Sequence, residues 1–226
     1  MEEQRRDPRL IVLAVFALVA VGVVAAILVS RGGGDDDSGA TAGVAGCEQV
    51  EEPQPKQVSL RAPRQTLRSG EEVTAVVDTS CGTFEIALDT TRAPKTANSF
   101  AYLSEQGFYD GLPFHRIVPD FVIQGGDPLG NGTGGPGYSV DERPPANLAY
   151  TRGIVAMAKS AAEPPGRSGS QFYVVTGADA GLPPEYALVG KVSGGMDVVD
   201  RIGSLGTPTE RPRLTVVIDT ITIERG

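Results

Sequence analysis

The sequence predicts a mainly β fold: a closed antiparallel barrel of eight strands, capped by two helices and preceded by a single transmembrane helix and a linker. Short segments rich in β-branched and apolar residues recur between residues 73 and 223, and loops rich in Gly and Pro separate them. Such segments are typical of strands. Two further segments have the apolar spacing of a helix, and many strands with few helices favour a closed antiparallel barrel.

The first element is an apolar segment of 20 residues, 10–29, which contains no charged residue and no Pro. As a helix it would be about 30 Å long, enough to cross the hydrocarbon core of a membrane. Three Arg residues occur among the nine residues before it, and three Asp residues follow it closely. Because Lys and Arg favour the cytoplasmic side, we expect a cytoplasmic segment 1–9, a signal anchor 10–30 and an extracytoplasmic remainder.

A cleaved signal peptide is the alternative interpretation of this segment. The apolar region of such a peptide is usually about 7–15 residues long and ends at small residues. Here the segment is longer and ends in Ile27, Leu28 and Val29, so we expect it to be retained. Residues 44–47 resemble a lipoprotein processing box, but about fifteen residues separate them from the apolar segment, and we do not expect lipidation.

Residues 31–70 form the predicted linker. Its first part, up to residue 46, consists mainly of Gly, Asp, Ser, Ala and Thr and has too few large apolar side chains to form a core. The second part, 47–70, is rich in Pro and charged residues. We expect it to extend along the surface of the following domain or to be partly disordered. That domain occupies residues 71–226.

Cys47 and Cys81 are the two cysteines of the chain. In an exported protein an even number of cysteines favours a disulfide. Such a bond would tie the linker to the first pair of strands. Two free thiols are the alternative.

The elements of the domain follow from local composition. The break at residues 80–82 suits a hairpin between the first two strands. A helix is expected over residues 93–106, because Pro94 suits its first turn, its apolar residues have helical spacing and Gly107 ends it. A short second helix is expected at 196–202. The eight predicted strands are residues 73–79, 83–88, 114–118, 121–125, 153–158, 171–176, 187–192 and 214–223.

Four sequence blocks occur in order within this domain. The longest spans Phe114 to Asp127 and reads FHRIVPDFVIQGGD, and it is followed by NGTGG at 131–135, GIVAMA at 153–158 and SQFY at 170–173. In their order and approximate spacing these blocks strongly resemble the cyclophilins, a family of peptidyl-prolyl cis-trans isomerases. The resemblance covers roughly residues 73–224. It implies a cyclophilin-like barrel that catalyses rotation about Xaa-Pro bonds without a cofactor.

The chemistry of this rotation indicates which residue types are needed. The barrier is about 18–20 kcal/mol, because the nitrogen lone pair is conjugated with the carbonyl group. The twisted transition state has a more basic nitrogen, so a fixed cation that donates to it would stabilise that state selectively. The resemblance assigns this role to Arg116, with Gln124 as its partner. If residues 119–121 form a three-residue connection, Arg116 and Gln124 face each other on one side of the sheet, whereas a two-residue turn would prevent this pairing.

The resemblance also implies an apolar pocket for the proline ring. Each of its residues, taken alone, would be interpreted as core packing rather than as part of a site, because barrel strands bury such side chains anyway. Seven residues are implied in substrate binding: Phe121, Val122, Tyr173 and Leu182 around the ring, Ala158 and Gln171 along the substrate backbone, and Tyr186 in place of the usual site His.

Several positions depart from the commoner family pattern. Gly181 stands where many members have a Trp whose indole donor holds cyclosporin. We therefore expect cyclosporin binding to be weakened while activity persists. Val122 and Tyr173 replace the commoner Met and Phe, which makes the pocket slightly smaller and more polar.

Composition excludes several other functions. The formal net charge of -8 argues against nucleic-acid binding, because no basic face is available to neutralise phosphates. No cluster of Cys and His predicts a metal site. His115 is the only His of the chain, and we expect it to have a structural role beside Arg116.

The predicted function is therefore peptidyl-prolyl cis-trans isomerisation in exported or envelope proteins. The protein would be a single-pass protein of the cell membrane whose partners are proline-containing polypeptides. The alternative is a binding module that docks such segments and isomerises them slowly or incidentally. Measuring Xaa-Pro exchange in a short peptide would distinguish the two.

Overall fold

The computed structural model describes residues 46–226 of the chain. This part contains two helices and eleven strands, in a nine-stranded sheet and a separate two-stranded one. In chain order they are β1 (Val73–Thr79), β2 (Gly82–Leu88), α1 (Pro94–Glu105), β3 (Leu112–Pro113), β4 (Arg116–Val118), β5 (Val122–Gly125), β6 (Val140–Asp141), β7 (Ile154–Met157), β8 (Arg167–Ser168), β9 (Phe172–Val175), β10 (Leu188–Gly194), α2 (Met196–Gly203) and β11 (Val217–Arg225).

The strand order explains how the large sheet curls. The order is β3-β11-β1-β2-β10-β7-β9-β5-β4, and every pairing in it is antiparallel. The first and last strands of this order, β3 and β4, are separated in the chain by Phe114 and His115 alone. Two residues span only a few ångströms, so the sheet must curl until its two edges are neighbours.

The prediction of a closed eight-stranded barrel is therefore corrected. All eight predicted strands and both helices are present, with bounds shifted by a few residues. The sheet has a ninth strand, β3, and within residues 46–226 no ladder of hydrogen bonds joins β3 to β4. The sheet is thus a curled half-barrel. The sequence pattern did not predict β3 because two residues are too few to show an alternation of apolar and polar side chains.

Alternation along the strands produces two apolar clusters. In β9, Phe172 and Val174 belong to the main core, which also contains Phe84, Phe100 and Phe114. The intervening residues of the same strand, Tyr173 and Val175, belong to a second cluster with Val122, Tyr150, Ile154 and Leu188. Because successive side chains of a strand point to opposite faces, the two clusters lie on opposite faces of the β5-β9-β7 part of the sheet.

Residues 47–69, called here the strap, lie along the domain. The sulfur atoms of Cys47 and Cys81 are 2.03 Å apart and form a disulfide at one end of the strap. At the other end the buried side chain of Leu67 packs into the main core. Of the two alternatives for this segment, extension along the surface or partial disorder, the first is observed.

The predicted membrane anchor, residues 10–30, lies outside the described residues. In the described residues, no helix combines the length and the apolar character needed to cross a membrane. The predicted cytoplasmic segment, 1–9, and the first part of the predicted linker, 31–45, also lie outside the described residues.

Candidate active site

The hairpin of β4 and β5 places two of the predicted site residues opposite each other. Its register pairs Arg116 with Gln124 and Val118 with Val122. This is the register predicted for a three-residue connection. Asp120 in that connection has a φ of 54°, and Asp is among the few residue types besides Gly that adopt this left-handed conformation readily. The observed connection therefore places the two polar side chains on one face, and the alternative of a two-residue turn is not observed.

A chain of hydrogen bonds runs from the guanidinium across neighbouring strands. Arg116 Nη1 donates to Gln124 Oε1 at 3.3 Å, and Gln124 Nε2 donates to Gln171 Oε1 at 3.1 Å. Gln171 Nε2 then donates to the carbonyl oxygen of Gly134 at 3.0 Å. Since a guanidinium can only donate and a carbonyl can only accept, the two ends together determine how both amide groups are oriented.

Glu210 is a member of the site that the sequence analysis missed. Its carboxylate accepts from Arg116 Nε at 2.7 Å and from Nη2 at 3.3 Å. This hydrogen bond and the positive charge of Arg116 lower the pKa of Glu210. The backbone adds a further link, since the Ile117 N–H donates to the Glu210 carbonyl at 2.8 Å. No signal in the sequence could have predicted the pairing of Glu210 with Arg116, because the two residues are 94 positions apart and Glu210 lies in an irregular loop.

The predicted pocket residues also come together. Val122 and Tyr173 belong to the second cluster, and four of the other predicted residues pack against it as partly buried side chains: Phe121, Ala158, Leu182 and Tyr186. The seventh, Gln171, is held to Ala158 by a hydrogen bond from the Ala158 N–H to the Gln171 carbonyl at 2.8 Å. The β5-β9-β7 pairing brings together Val122, Tyr173 and the end of β7 next to Ala158, whereas Leu182 and Tyr186 lie in the segment before β10.

Tyr150 contacts the predicted pocket residues and was not predicted from the sequence. Its hydroxyl donates to the Tyr186 carbonyl at 2.6 Å and accepts from the Tyr186 N–H at 2.9 Å. Its ring contacts those of Tyr173 and Tyr186 at centroid distances of 6.3 and 5.9 Å. Burial raises the pKa of Tyr150 to about 12, so its hydroxyl stays protonated near neutral pH. Tyr150 therefore fixes the backbone that carries Tyr186.

The hydroxyl of Tyr173 is an anomaly in this cluster. It is buried and has no hydrogen-bond partner among the described residues. Burial raises the pKa of this phenol, and the neighbouring hydroxyls of Tyr150 and Tyr186 add to the effect. Leaving a buried hydroxyl without a partner costs about 1–3 kcal/mol. Tyr173 is one of the positions where the family more commonly has Phe, which carries no hydroxyl.

Two clefts meet at the polar chain. The larger, about 770 Å³, lies between residues 132–139 and 158–160, and the smaller, about 340 Å³, contains His115, Arg116 and Glu210. Gln124 and Gly132 line both. In the part of the chain that the structure describes, no group of three or more His, Cys, Asp or Glu residues is arranged to hold a metal ion.

His115 and Lys159 lie at the edges of these clefts. Neither ring nitrogen of His115 has a hydrogen-bond partner among the described residues, and burial lowers its pKa. Lys159 has a side chain only 5% exposed, is paired with Glu185 at 3.3 Å and lies 5.4 Å from the centre of the Tyr186 ring. Gly181, where many cyclophilins have a Trp, is exposed, and a Cβ placed on it would have no atom within 4 Å.

Known proteins resemble this chain throughout the folded domain. The family model described as "Cyclophilin type peptidyl-prolyl cis-trans isomerase/CLD" matches residues 74–223. Peptidyl-prolyl cis-trans isomerase B of Streptomyces anulatus is 38% identical over 174 residues, which cover 68% of this chain and 98% of that protein. Peptidyl-prolyl cis-trans isomerase-like 1 of Neurospora crassa is 40% identical over 147 residues, which cover 63% of this chain and 88% of that protein.

Solved structures agree with these matches. The crystal structure of a cyclophilin-type isomerase of Cryptosporidium parvum, determined in the presence of the dipeptide Ala-Pro, aligns with a TM-score of 0.62 and 30% identity. The alignment covers 68% of this chain and 99% of that chain. Because sequence and structure match over the whole folded domain, the chain belongs to the cyclophilin-type peptidyl-prolyl cis-trans isomerases, enzymes of class EC 5.2.1.8.

Proposed function

We propose that this isomerase acts on Xaa-Pro bonds of proteins outside the cytoplasm, from a position at the cell membrane, and that Arg116 stabilises the twisted amide. The observation that carries the proposed role of Arg116 is its geometry. Its side chain is one-third exposed at a cleft, and three hydrogen bonds to Glu210 and Gln124 restrain it. A cation held in this way needs little reorganisation when charge develops on the substrate nitrogen.

The donors that remain on the guanidinium suit this role. A guanidinium has five N–H groups, and the hydrogen bonds to Glu210 and Gln124 use three of them. Two remain to donate to the nitrogen of a rotating amide. The planar ground state offers that nitrogen no free lone pair, so these donors would stabilise the twisted state alone. Rotation then requires no nucleophile, no metal and no proton transfer.

The second cluster suits the proline ring. Its partly buried members, Phe121, Leu182 and Tyr186, form an apolar surface, and the polar chain of Gln124 and Gln171 runs beside it. A ring bound on this surface would bring its nitrogen towards Arg116. The Cryptosporidium parvum relative was crystallised in the presence of Ala-Pro, which supports proline-containing peptides as ligands of this site.

Two features support the proposed location. The apolar segment 10–29, with Arg residues before it, has the length and flanking charge of a signal anchor. The disulfide between Cys47 and Cys81 suits an oxidising compartment outside the cytoplasm. At the membrane, such an enzyme would meet exported chains as they emerge and would assist their folding.

The role of Arg116 is tested by measuring Xaa-Pro exchange in a short peptide with the full-length protein in detergent. Arg116→Ala is expected to lower kcat/KM roughly 10²–10³-fold, because a preorganised donor to the developing charge is lost. The matched control is Arg225→Ala, since Arg225 also pairs with a Glu side chain, that of Glu105, but at the surface and away from both clefts. Equal rates for wild type and Arg116→Ala would refute the assignment.

The location is tested separately. Cells that express the full chain are treated with a protease that cannot cross the membrane, and they are also separated into membrane and soluble fractions. We expect the protein in the membrane fraction, with its domain digested from outside. A protected domain in the soluble fraction would refute the proposed location without affecting the role of Arg116.

A further inference from the structure

The strap supports a loop of the active site. Residues 128–136, called here the glycine-rich loop, contribute to both clefts. The N–H of Lys56 donates to the Pro128 carbonyl at 2.7 Å, and the N–H of Leu60 donates to the Pro136 carbonyl, also at 2.7 Å. Two strap residues therefore hold both ends of the loop. The strap precedes residue 74, where the family match begins, so this support is additional to the shared family domain.

The strap also makes a close contact with the backbone of Gly137, the residue that follows the loop, next to the second of these bonds. A Cβ placed on Gly137 would lie 2.9 Å from Ser59 Oγ and 3.0 Å from Ser59 Cα. Gly137 has a φ of +89°, a conformation that residues with a side chain rarely adopt. The strap thus fits against the loop only because residue 137 has no side chain.

The strap is itself fixed at two ends. The disulfide joins Cys47 to Cys81, and the Glu48 N–H donates to the Ser80 carbonyl at 2.7 Å. At the far end the side-chain oxygen of Asn98 in α1 accepts from the N–H groups of Thr66 and Leu67, at 2.7 and 3.0 Å. The segment between these anchors is therefore held against the domain rather than free to move away.

The loop in turn determines the orientation of the polar chain. The Gly134 carbonyl accepts from Gln171, and this bond turns the Gln171 oxygen towards the amide nitrogen of Gln124. The oxygen of Gln124 then faces the guanidinium of Arg116. If the Gly134 carbonyl moved away, either amide could rotate by half a turn and present a donor to a donor. The hydrogen bond from Gln124 to Arg116 would then be lost.

We propose that the strap is a positioning element of the isomerase: it holds the glycine-rich loop, and through Gln171 and Gln124 it holds Arg116. The inference rests on the proposed role of Arg116. It assigns to a segment outside the family match a contribution to catalysis. It also makes that contribution depend on the disulfide, because the bond is one of the two anchors of the strap.

The test compares two Gly→Ala variants of the full-length protein. Gly137→Ala adds a methyl group against the strap, whereas Gly70→Ala adds one at a φ of +81° with no atom within 4 Å. Both variants carry backbone strain of the same kind, but Gly137 differs from Gly70 in its contact with Ser59 and in lining the larger cleft. The double variant described below separates these two differences. Displacing a reacting group by about 1 Å can cost roughly 10²-fold in rate, and we expect Gly137→Ala to lose about tenfold in kcat/KM. Gly70→Ala should keep the wild-type value.

A spectroscopic measurement separates positioning from general destabilisation. The Nε–H resonance of Arg116 in ¹⁵N-labelled protein, assigned by its absence in Arg116→Ala, should shift in Gly137→Ala and stay in place in Gly70→Ala. In the double variant Ser59→Gly/Gly137→Ala, which removes part of the contact, rate and resonance should both return towards wild type. Equal rates and unshifted resonances for the two single variants would overturn the proposal.

Reduction of the disulfide gives a second test if Gly137→Ala does not fold. Reductant should lower kcat/KM of the wild type and speed hydrogen exchange at residues 132–137. The variant Cys47→Ser/Cys81→Ser should already have the lower kcat/KM and the faster hydrogen exchange, and reductant should change neither quantity in it. No response of the wild type would overturn the proposal. If Arg116→Ala keeps the wild-type rate, the proposed role of Arg116 is refuted, and the strap proposal that rests on it is refuted as well. If Arg116→Ala is impaired while Gly137→Ala and reduction have no effect, only the strap proposal is refuted.

Discussion

The two faces of β9 differ in how completely they are packed. On one face the ring of Phe172 contacts those of Phe100, Tyr109 and Phe114, with centroids 5.3, 5.6 and 6.2 Å away and near-perpendicular planes. On the other face Tyr173 is covered by Tyr150 and Tyr186, but its hydroxyl has no partner among the described residues. The polar chain shares this face, because Gln124 pairs with Tyr173 in the sheet and with Arg116 in the hairpin.

The difference shows how one strand serves stability and function at once. The face of Phe172 is covered by α1 and by other strands of the curled sheet, so its side chains are packed within the protein. The face of Tyr173 is covered by partly buried side chains, and this is the surface on which we propose that the proline ring binds. We therefore expect changes on the first face to affect the free energy of unfolding, and changes around the second to affect activity.

The largest effect on stability is expected for Phe172→Ala. It removes a fully buried ring from a close-packed core and should lower the free energy of unfolding by about 3–5 kcal/mol. Denaturant unfolding, followed by circular dichroism, measures the loss. Those Phe172→Ala molecules that remain folded should isomerise a short peptide at the wild-type rate per molecule. A loss below about 1 kcal/mol, the range of a surface change, would contradict the contrast between the two faces.

A smaller effect of opposite sign is expected for Tyr173→Phe. The change removes a buried hydroxyl without a partner and keeps the ring, so stability should rise by about 1–2 kcal/mol. The same unfolding experiment measures this increase. The rate of peptide exchange should change less than about twofold, because the aromatic ring of residue 173, which contributes to the proposed pocket, is kept. A matched control is Tyr150→Phe, which removes a hydroxyl that has two hydrogen bonds and should be destabilising. A destabilised Tyr173→Phe would show that this hydroxyl has a partner.

The smallest effect is expected at the exposed end of the polar chain. Glu210→Gln keeps the shape of the side chain but removes the charge that pairs with Arg116, and kcat/KM should fall roughly two- to fivefold, as for a solvent-exposed ion pair. The fold and the unfolding midpoint should be nearly unchanged. Peptide exchange at pH 7 measures the effect, with Glu105→Gln, which breaks the surface pair with Arg225, as the control.

The same ion pair predicts a pH dependence. Arg116 lowers the pKa of Glu210, so the ion pair is fully present above the ordinary pKa of Glu, about 4.3, and is lost as the pH falls through the lower value in the folded protein. The wild type should therefore lose rate on acidification below about pH 4.3, and Glu210→Gln should lack this step. Identical acidic profiles for the two proteins would contradict the assigned pairing.

Features of short range could be predicted from the sequence. Given a three-residue connection at 119–121, the sequence predicted Arg116 opposite Gln124, because the register of a hairpin follows from its loop length. The structure has this register, and not the one of a two-residue turn. The strands were predicted from composition, since short segments rich in β-branched and apolar residues alternate with loops that contain Gly or Pro. The pocket residues were predicted by resemblance to a family, and no composition or spacing argument would have joined Val122 to Leu182.

Features that depend on distant contacts could not be predicted. Glu210 reaches Arg116 from 94 residues away, and Tyr150 supports Tyr186 from 36 residues away. The composition of the strap left extension along the surface and partial disorder open, and it did not indicate that backbone donors of the strap would meet the carbonyls of Pro128 and Pro136. Irregular segments have no periodicity, so nothing in their sequence indicates which partner they contact.

The sequence by itself determined the elements and the resemblance that indicated the reaction, and it paired Arg116 with Gln124 on the condition of a three-residue connection. Only the tertiary structure decided that the sheet curls until β3 and β4 are neighbours, that Glu210 holds the guanidinium and that the strap supports the glycine-rich loop. The physical reason is the range of the interactions. Backbone conformation and strand register depend on neighbouring residues, whereas the restraint of one charged side chain depends on groups brought together by the packing of the whole domain.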